Sequence, residues 1–317
     1  MPIEGAGLTR ATVAVCTLNR ADVLRGCLAS LDNQLFDDDD VEVLVVDNRS
    51  TDRTPELLAQ WSADSPKTRR SVREPLIGLV NARNAALAAS DREVVIFIDD
   101  DALATPTWAQ AHLSAYLPGA GIGSVGGPIG LVWPSGRPGW ITETLHPWFS
   151  ALDLGDAAGP YPNEHGPYGT NMSVWREAAV ALGGFNPRFG RRAGNLMSGE
   201  EPEMSHRLVE AGWKLYYEPS AAVVQQVLAE RIDRDWLLRR GWAQGVTNAR
   251  LAVDQTDGSR RTRLRQAKDE LKQAARLYRR RDRRPDADLA EMVLVRTHTG
   301  AAREFVRSAV APAARDE

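Results

Sequence analysis

Apolar positions along residues 10–105 alternate between two periods. TVAVCTL (12–18) is a short run rich in strand formers, closed by Asn19 and Arg20. Val23, Leu24, Cys27, Leu28 and Leu31 then recur at spacings of three and four, which predicts an amphipathic helix. VEVLVVD (41–47) is apolar almost without a break, as expected of a strand buried on both faces. Thr51-Asp52-Arg53-Thr54-Pro55 opens a second helix that carries Leu57, Leu58 and Trp61. A short apolar stretch, PLIGLV, precedes the Ala-rich helical segment NARNAALAAS (81–90), and VVIFID (94–99) is the third strong strand. This βαβαβ order predicts a parallel, doubly wound α/β sheet.

The pattern changes over residues 118–169, which hold eight prolines and twelve glycines together with Trp133, Trp140 and Trp148. That composition predicts long loops with short strands, and its length suits a binding region better than a connection. The tryptophans either stack on a bound ligand or pin the loops down. Order returns with NMSVWREAAVALGGF (171–185), a short helix EPEMSHRLVEAG (201–212) ended by Gly212, and the strands KLYYEP and AAVV. Met204 and Leu208 sit at core spacing on that helix, with His206 on another face. From Arg234 onward the chain is rich in helix formers, and Leu264, Leu271 and Tyr278 follow a seven-residue repeat.

Polar residues close all three strong strands: Thr17-Leu18-Asn19-Arg20, then Asp47-Asn48-Arg49-Ser50, then Asp99-Asp100-Asp101. Open α/β sheets bind ligands at the carboxyl ends of their strands, and parallel strands bring these ends to one edge. Three adjacent carboxylates at a strand end are costly unless a cation neutralises them. Oxygen ligands favour hard ions, and Mg²⁺ usually takes one or two protein carboxylates plus substrate phosphates. Asp99 and Asp101, one residue apart, therefore suggest a divalent ion shared with a diphosphate. The acidic run at 37–40 lies in a helix-to-strand loop at the opposite end of the sheet and reads as solvated surface.

At 317 residues, with 43% hydrophobic and 26% charged residues, the chain has the bulk of a soluble enzyme with a large core. It shows no run of apolar residues long enough for a membrane span and no signal-peptide pattern at its start. Two cysteines, Cys16 and Cys27, exclude a disulfide framework. The histidines His112, His146, His165 and His298 show no metal-ligand spacing. These features point to a cytoplasmic protein.

VAVCTLNR (13–20), VLVVDNRSTD (43–52), GLVNARNAAL (78–87), FIDDDALATPTW (97–108), GTNMSVWREAAVALGGFNPRFG (169–190) and GEEPEMSHRLVEAGWKLYYEP (199–219) together resemble the family 2 inverting glycosyltransferases of GT-A fold. The pieces occur in the family's order and cover roughly residues 10–250. The resemblance implies a GT-A domain over residues 1–250, with a nucleotide-binding half at about 10–117 and an acceptor-binding half at about 118–250, and a helical extension over 251–317. It implies a nucleotide-diphosphate-sugar donor, an acceptor hydroxyl or amine, and Mn²⁺ or Mg²⁺ as cofactor. Thr17, Asn19, Asp47 and Arg83 match positions lining the nucleotide pocket, with Arg20, Asn48, Ser50 and Asp100 beside them. Asp99 and Asp101 match the D-x-D motif, and Gly169 and Asn171 match a loop near the donor sugar and acceptor. Glu201 falls where the family usually has an aspartate as general base. Gln225 falls where many relatives carry a metal-ligating histidine, and a neutral amide oxygen is a poorer ligand. Arg239 and Arg240 are expected near the leaving diphosphate, beside Trp236 and Trp242.

Alternatives remain at several positions. Ser198-Gly199-Glu200-Glu201 also spells a helix-capping box, although Pro202 favours Glu201 at the cap, and Glu200 is the alternative base. Residues 255–284 hold twelve Lys or Arg against four Asp or Glu, a net of +8 in a chain of net charge −3. That segment reads first as a solvated helix, then as a peripheral membrane contact or a subunit contact; it lacks the interleaved aromatics of nucleic-acid modules. A soluble metabolite or a cell-surface glycan precursor suits the acceptor. A sugar-phosphate nucleotidyltransferase would need a Gly-rich basic loop after the first strand, which VAVCTLNRADV lacks. A non-catalytic sugar-nucleotide binder stays open through Gln225 and the glutamate at 201.

Overall fold

The computed structural model describes residues 10–35, 40–64, 68–162, 166–191, 194–256, 258–281 and 288–310. The chain start, most of the acidic run at 37–40, His165 and the end of the basic segment, 282–284, lie outside the described residues. The chain divides into two compact units, and the first comprises residues 1–136, 149–193 and 200–227.

The first unit opens with β1 (Ala11–Thr17), α1 (Ala21–Asp32), β2 (Val41–Asp47), α2 (Thr54–Asp64), β3 (Arg69–Arg73), α3 (Leu79–Ala89) and β4 (Val94–Asp99). The apolar runs become strands buried on both faces, and Leu24, Cys27, Leu28 and Leu31 form the covered side of α1. Strand β3, RRSVR, has no apolar run because it is a half-exposed edge strand, so hydrophobic pattern could not reveal it. There follow β5 (Ala102–Ala104), α4 (Trp108–Ser114), β6 (Ile122–Gly126), β7 (Ile129–Val132), β8 (Gly159–Pro160), β9 (Asn171–Trp175), α5 (Arg176–Ala181), α6 (Glu200–Glu210), β10 (Lys214–Tyr217) and β11 (Val223–Gln226).

The main sheet has the order β3-β2-β1-β4-β9-β6-β10-β8. Strands β1 to β4 are parallel, as the βαβαβ pattern predicts, whereas β9 runs antiparallel to both β4 and β6. The sheet is thus mixed beyond β4. In this register Thr17 stands beside Asp47 and Cys16 beside Asp99, so the polar strand ends share one edge. A second sheet, β5-β11-β7, pairs Gln225 with Ala102 and so brings Gln225 next to Asp101. The two sheets sit on one core, with Trp108 and Phe97 among its fully buried side chains.

The second unit comprises residues 137–148, 194–199 and 228–317, so the division falls at Leu228 instead of after residue 250. It is built on α7 (Arg234–Asp254), α8 (Arg260–Arg281) and α9 (Asp288–Val310). Packing explains the earlier boundary. Gly241 and Gly245 of α7 lie against the backbone of Val293 and Thr297 of α9, and Gly300 of α9 lies against Trp242, so α7 belongs with the later helices. Among the described residues no helix is long and apolar enough to cross a membrane.

The edge strand is held by charge. Glu42 of β2, nearly buried, accepts Thr12 Oγ1 at 2.8 Å and two bonds from Arg70 of β3 at 2.8 and 2.9 Å. Arg70 also donates to the Ala89 carbonyl, which ties β3 to the end of α3. Glu42→Ala leaves Thr12 without that acceptor and Arg70 without its fork. It should destabilise the chain by about 2 kcal/mol, since Arg70 is partly solvated and keeps some water-screened compensation. Denaturant titration measures it; a loss no larger than that of an exposed surface pair would show that β3 is held otherwise.

Candidate active site

The loop after β1 and the loop after β2 are bolted together at the carboxyl edge. Asn19 takes a left-handed backbone, with φ of 55°, a conformation asparagine tolerates. Its Oδ1 accepts Thr51 N at 2.7 Å and Asp52 N at 3.3 Å, while its own N–H donates to Ser50 Oγ at 2.8 Å. Asp47 Oδ1 accepts Ser50 N at 2.8 Å. Asn48 is turned into the protein: it donates to the Glu74 and Leu76 carbonyls and accepts Gly78 N. Gly78 precedes the first residue of α3, so Asn48 fixes the helix that carries Arg83.

Arg83 is the centre of the site. It is 2% exposed, yet its guanidinium lies 3.0 Å from Glu200, 3.1 Å from Glu201 and 3.9 Å from Asp99. The rings of Phe97 and Phe185 flank it, with centroids 5.8 and 5.5 Å from its central carbon. Burial opposes the cation, but the neighbouring carboxylates, Glu201 foremost, keep it protonated. Gly169 passes this cluster so closely that a Cβ there would collide with Arg83 Nη2 and Glu201 Oε1. Thr170, which the motif reading did not single out, donates to Asp99 Oδ2 at 2.7 Å. The signal was its place between Gly169 and Asn171.

The two glutamates divide by environment. Helix α6 begins at Glu200, so Pro202 is its third residue and not its first. A proline is tolerated there because first-turn N–H groups have no intrahelical acceptor. Glu200 is 1% exposed and its Oε2 has no partner among the described residues, while the Glu201 side chain keeps 16% of its surface open. Burial, reinforced by the Glu201 charge, pushes Glu200 up to about 8. Burial also works against the Glu201 carboxylate, but the Arg83 guanidinium and its hydrogen bonds outweigh it and hold Glu201 below the usual glutamate value. At neutral pH the open glutamate is ionised and the sealed one is protonated.

The D-x-D end of β4 is arranged differently from a three-ligand metal site. Arg20 Nη1 donates to Asp100 Oδ1 at 3.0 Å and to Asp101 Oδ2 at 2.8 Å, and Thr17 Oγ1 donates to Asp100 Oδ2. Gln225 Nε2 donates to Asp101 Oδ1 at 2.5 Å, while its Oε1 is buried without a partner among the described residues. Asp101 is 1% exposed and Gln225 is fully buried. Of the expected metal-holding set Asp99, Asp101 and Gln225, the last two are hydrogen-bonded to each other here. Both oxygens of Asp101 are spent on an amide and a guanidinium, and Gln225 turns an N–H towards it. Asp99, 32% exposed at its side chain, is the carboxylate of the set that fits an incoming ion. Among the described residues no cluster of three or more His, Cys, Asp or Glu forms a metal site.

Asn171 also departs from expectation. Its Oδ1 accepts Trp108 Nε1 at 2.8 Å and His112 Nε2 at 2.9 Å, and its Nδ2 donates to the Pro128 and Ala221 carbonyls. Every donor and acceptor of the amide is satisfied inside the protein, so it has nothing to offer a sugar. It ties β9 to α4 and to the loops before β7 and β11. His112 is a neutral core residue, its pKa lowered to about 4 by burial.

Arg239 and Arg240 belong to the second unit. Arg239 is 64% exposed and lies 3.9 Å from Asp233, while Arg240 reaches the Leu196 carbonyl and Ser198 Oγ, both at 3.4 Å. Arg239 and Trp242 line a cavity of about 550 Å³ with Leu196, Met197, Leu238 and Arg296. Trp140 lies under the Arg234 guanidinium, and Trp133 packs edge-on against Phe149, as loop-pinning residues do.

The region from β1 to α5 has a sequence counterpart: the Glycosyl transferase family 2 pattern matches residues 12–179, just over half of the chain. This chain belongs to glycosyl transferase family 2. Within the family it is 26% identical over 171 residues to the glucosyl-dolichyl phosphate glucuronosyltransferase of Haloferax volcanii, covering 54% of each chain. It is 31% identical over 183 residues to the pre-mycofactocin glycosyltransferase of Mycobacterium tuberculosis, covering 57% of this chain and 36% of that one. The match thus spans about half or less of these relatives' lengths. In three dimensions the chain is similar to the mannosyltransferase PcManGT from Pyrobaculum calidifontis, solved with GDP-Man and Mn²⁺, with a TM-score of 0.58 at 21% identity, covering 98% of this chain and 77% of that one. That likeness shows the fold, which is GT-A.

Two outcomes follow from the Arg83 cluster of this family 2 site. The folded chain holds a proton on Glu200 that the unfolded chain releases above the ordinary value of 4.5, so this residue costs stability as pH rises from 4.5 to about 8. Glu200→Gln removes the titration, and its melting temperature should gain on the parent's across that window; parallel curves would overturn the protonated Glu200. Gly169→Ala should force Arg83 and Glu201 apart at a cost of about 1–3 kcal/mol, read from equilibrium unfolding, whereas a neutral effect would mean the loop gives way freely.

Proposed function

We propose that this chain transfers a sugar from a nucleotide-diphosphate-sugar donor to an acceptor hydroxyl or amine, with inversion at the anomeric carbon. The observation that carries the reading is the pairing of an ionised, partly open Glu201 with a buried Arg83, at the carboxyl edge where Asp47 and Asp99 also stand. Glu201 takes the proton of the acceptor group as the acceptor atom attacks the anomeric carbon. The bond from that carbon to the diphosphate oxygen breaks, and the nucleoside diphosphate leaves with the electron pair. A single displacement inverts the centre, since Glu201 serves as base and not as nucleophile.

Arg83 holds Glu201 in place and in its charged form, and Glu200, sealed and protonated, shields that charge balance. Asp47, with the interlocked Asn19, Ser50 and Thr17, shapes the nucleotide end of the edge. Mn²⁺ or Mg²⁺ held by Asp99 together with the donor's own diphosphate oxygens would neutralise charge on the leaving group. Arg239 and Arg240 are left out of this reading, because Arg240 is engaged with the segment at 196–198. The acceptor is a small metabolite or a glycan precursor, the two classes for which the relatives' names speak.

The test is turnover with UDP-, GDP- and dTDP-sugars alongside calorimetric titration of each nucleotide, with and without Mn²⁺. The parent should bind one nucleotide class and release it on turnover. Glu201→Gln should keep nucleotide affinity within severalfold while kcat falls by about two to four orders of magnitude. An equal loss in Glu200→Gln with Glu201→Gln active would transfer the base to Glu200. Nucleotide binding without turnover by any donor would favour a non-catalytic sugar-nucleotide binder, the reading that Gln225 and its amide contact to Asp101 support.

A further inference from the structure

Helix α8 carries ten Lys or Arg against Asp269 and Glu270, a net of +8 within 22 residues of a chain whose net charge is −3. It packs against α9 through a side that includes Ala267, 3% exposed, and Ala274, 6% exposed. Leu277 is partly buried on that side, but the other larger apolar residues of the helix face outward. Leu264, Leu271 and Tyr278 are 42%, 52% and 50% exposed. Seven residues apart, they stack into one seam along the helix. On the same wheel Arg261, Lys268, Lys272 and Arg279 stand along one flank of that seam, all exposed. Among the described residues these cations meet few carboxylates. Asp269 pairs with Lys272 of the same helix, and Glu270 faces His298 of α9. Among the described side chains, Asp269 is the sole carboxylate within ion-pair distance of an α8 cation.

We propose that this face of α8 docks on an anionic lipid surface, with the Leu264–Leu271–Tyr278 seam entering the headgroup–acyl boundary and the Arg/Lys flank meeting lipid phosphates. An exposed apolar seam beside a row of cations is the composition of an interfacial helix. Charge selects this occupant over the others. A second copy of the chain on the same seam would bring two +8 helices together, which repels. A nucleic acid would satisfy the arginines but leave the leucines in water, since phosphate contacts need no apolar row. A solvated helix would have no reason to place Leu264 and Leu271 outside while Ala267 and Ala274 are buried. The inference is independent of the transferase reading: failure of either leaves the other standing.

The experiment is co-sedimentation of the full chain with vesicles of phosphatidylcholine alone and of phosphatidylcholine mixed with phosphatidylglycerol, at low and high salt. Binding should be confined to the anionic vesicles and fall severalfold with salt. Lys268→Gln/Lys272→Gln/Arg279→Gln should lower the partition coefficient about tenfold, and Leu264→Ser/Leu271→Ser about tenfold with charge unchanged. All five positions are exposed, and circular dichroism of each variant checks that the helix persists. Absence of binding at low salt overturns the proposal. Binding that ignores the leucine pair overturns it as well, since charge alone would then explain the attraction. Displacement of the chain from vesicles by a single-stranded RNA that binds the leucine variant equally well, or leucine-dependent self-association in sedimentation velocity, assigns the face to another partner and also overturns it.

Discussion

The Arg83 guanidinium, buried and surrounded by three carboxylates, is the interaction on which the rest of the site depends. A lone cation in that place would be prohibitively costly, and so would the carboxylates without it. Each neighbour is therefore constrained by Arg83. Glu201 stays ionised because the cation beside it outweighs its burial, Glu200 gives up its charge because it is buried beside the Glu201 charge, and residue 169 must be glycine because the pair occupies the space a Cβ would need. The position of Arg83 itself is inherited. Asn48, at the end of β2, fixes the start of α3 through Gly78, and the aromatic pair Phe97 and Phe185 encloses the guanidinium from β4 and the loop after α5.

A second arginine solves the same problem at the strand end. Three consecutive aspartates repel, and Arg20 bridges two of them while Thr17 and Gln225 take remaining oxygens. The protein thus neutralises Asp100 and Asp101 internally and leaves Asp99 facing outward. In this arrangement two aspartates of the motif fasten β1, β4 and β11 to one another, and the third stays partly exposed. Asn171 makes a similar choice, since an amide satisfied on every atom fastens the antiparallel strand β9 to the elements around it instead of reaching outward.

The second unit shows how little a hydrophobic repeat says about its direction. A seven-residue row of Leu264, Leu271 and Tyr278 is the pattern of a packed seam, yet the packed side of α8 uses alanines. Close helix approach explains the choice, as it does for Gly241, Gly245 and Gly300 between α7 and α9. Small residues let helix backbones come near, and Leu264, Leu271 and Tyr278 lie outside.

The sequence by itself determined the elements whose pattern is local. Apolar runs and helical spacing fixed β1, β2, β4, α1 and α2 and their parallel order, and the ordered motifs carried the family, the strand-end aspartates and the glutamate pair. It did not reveal β3, because an exposed edge strand has no apolar run, nor the antiparallel turn at β9, because strand direction is settled by non-local pairing. It could not show that Glu200 is sealed and Glu201 partly open, since neighbours in sequence differ in burial only once α6 is packed. It could not show which end of the Gln225 amide faces Asp101, since that contact joins residues far apart in the chain. Tertiary structure decided these points for one physical reason: ionisation, hydrogen-bond direction and exposure depend on what is brought within a few ångströms from elsewhere in the chain.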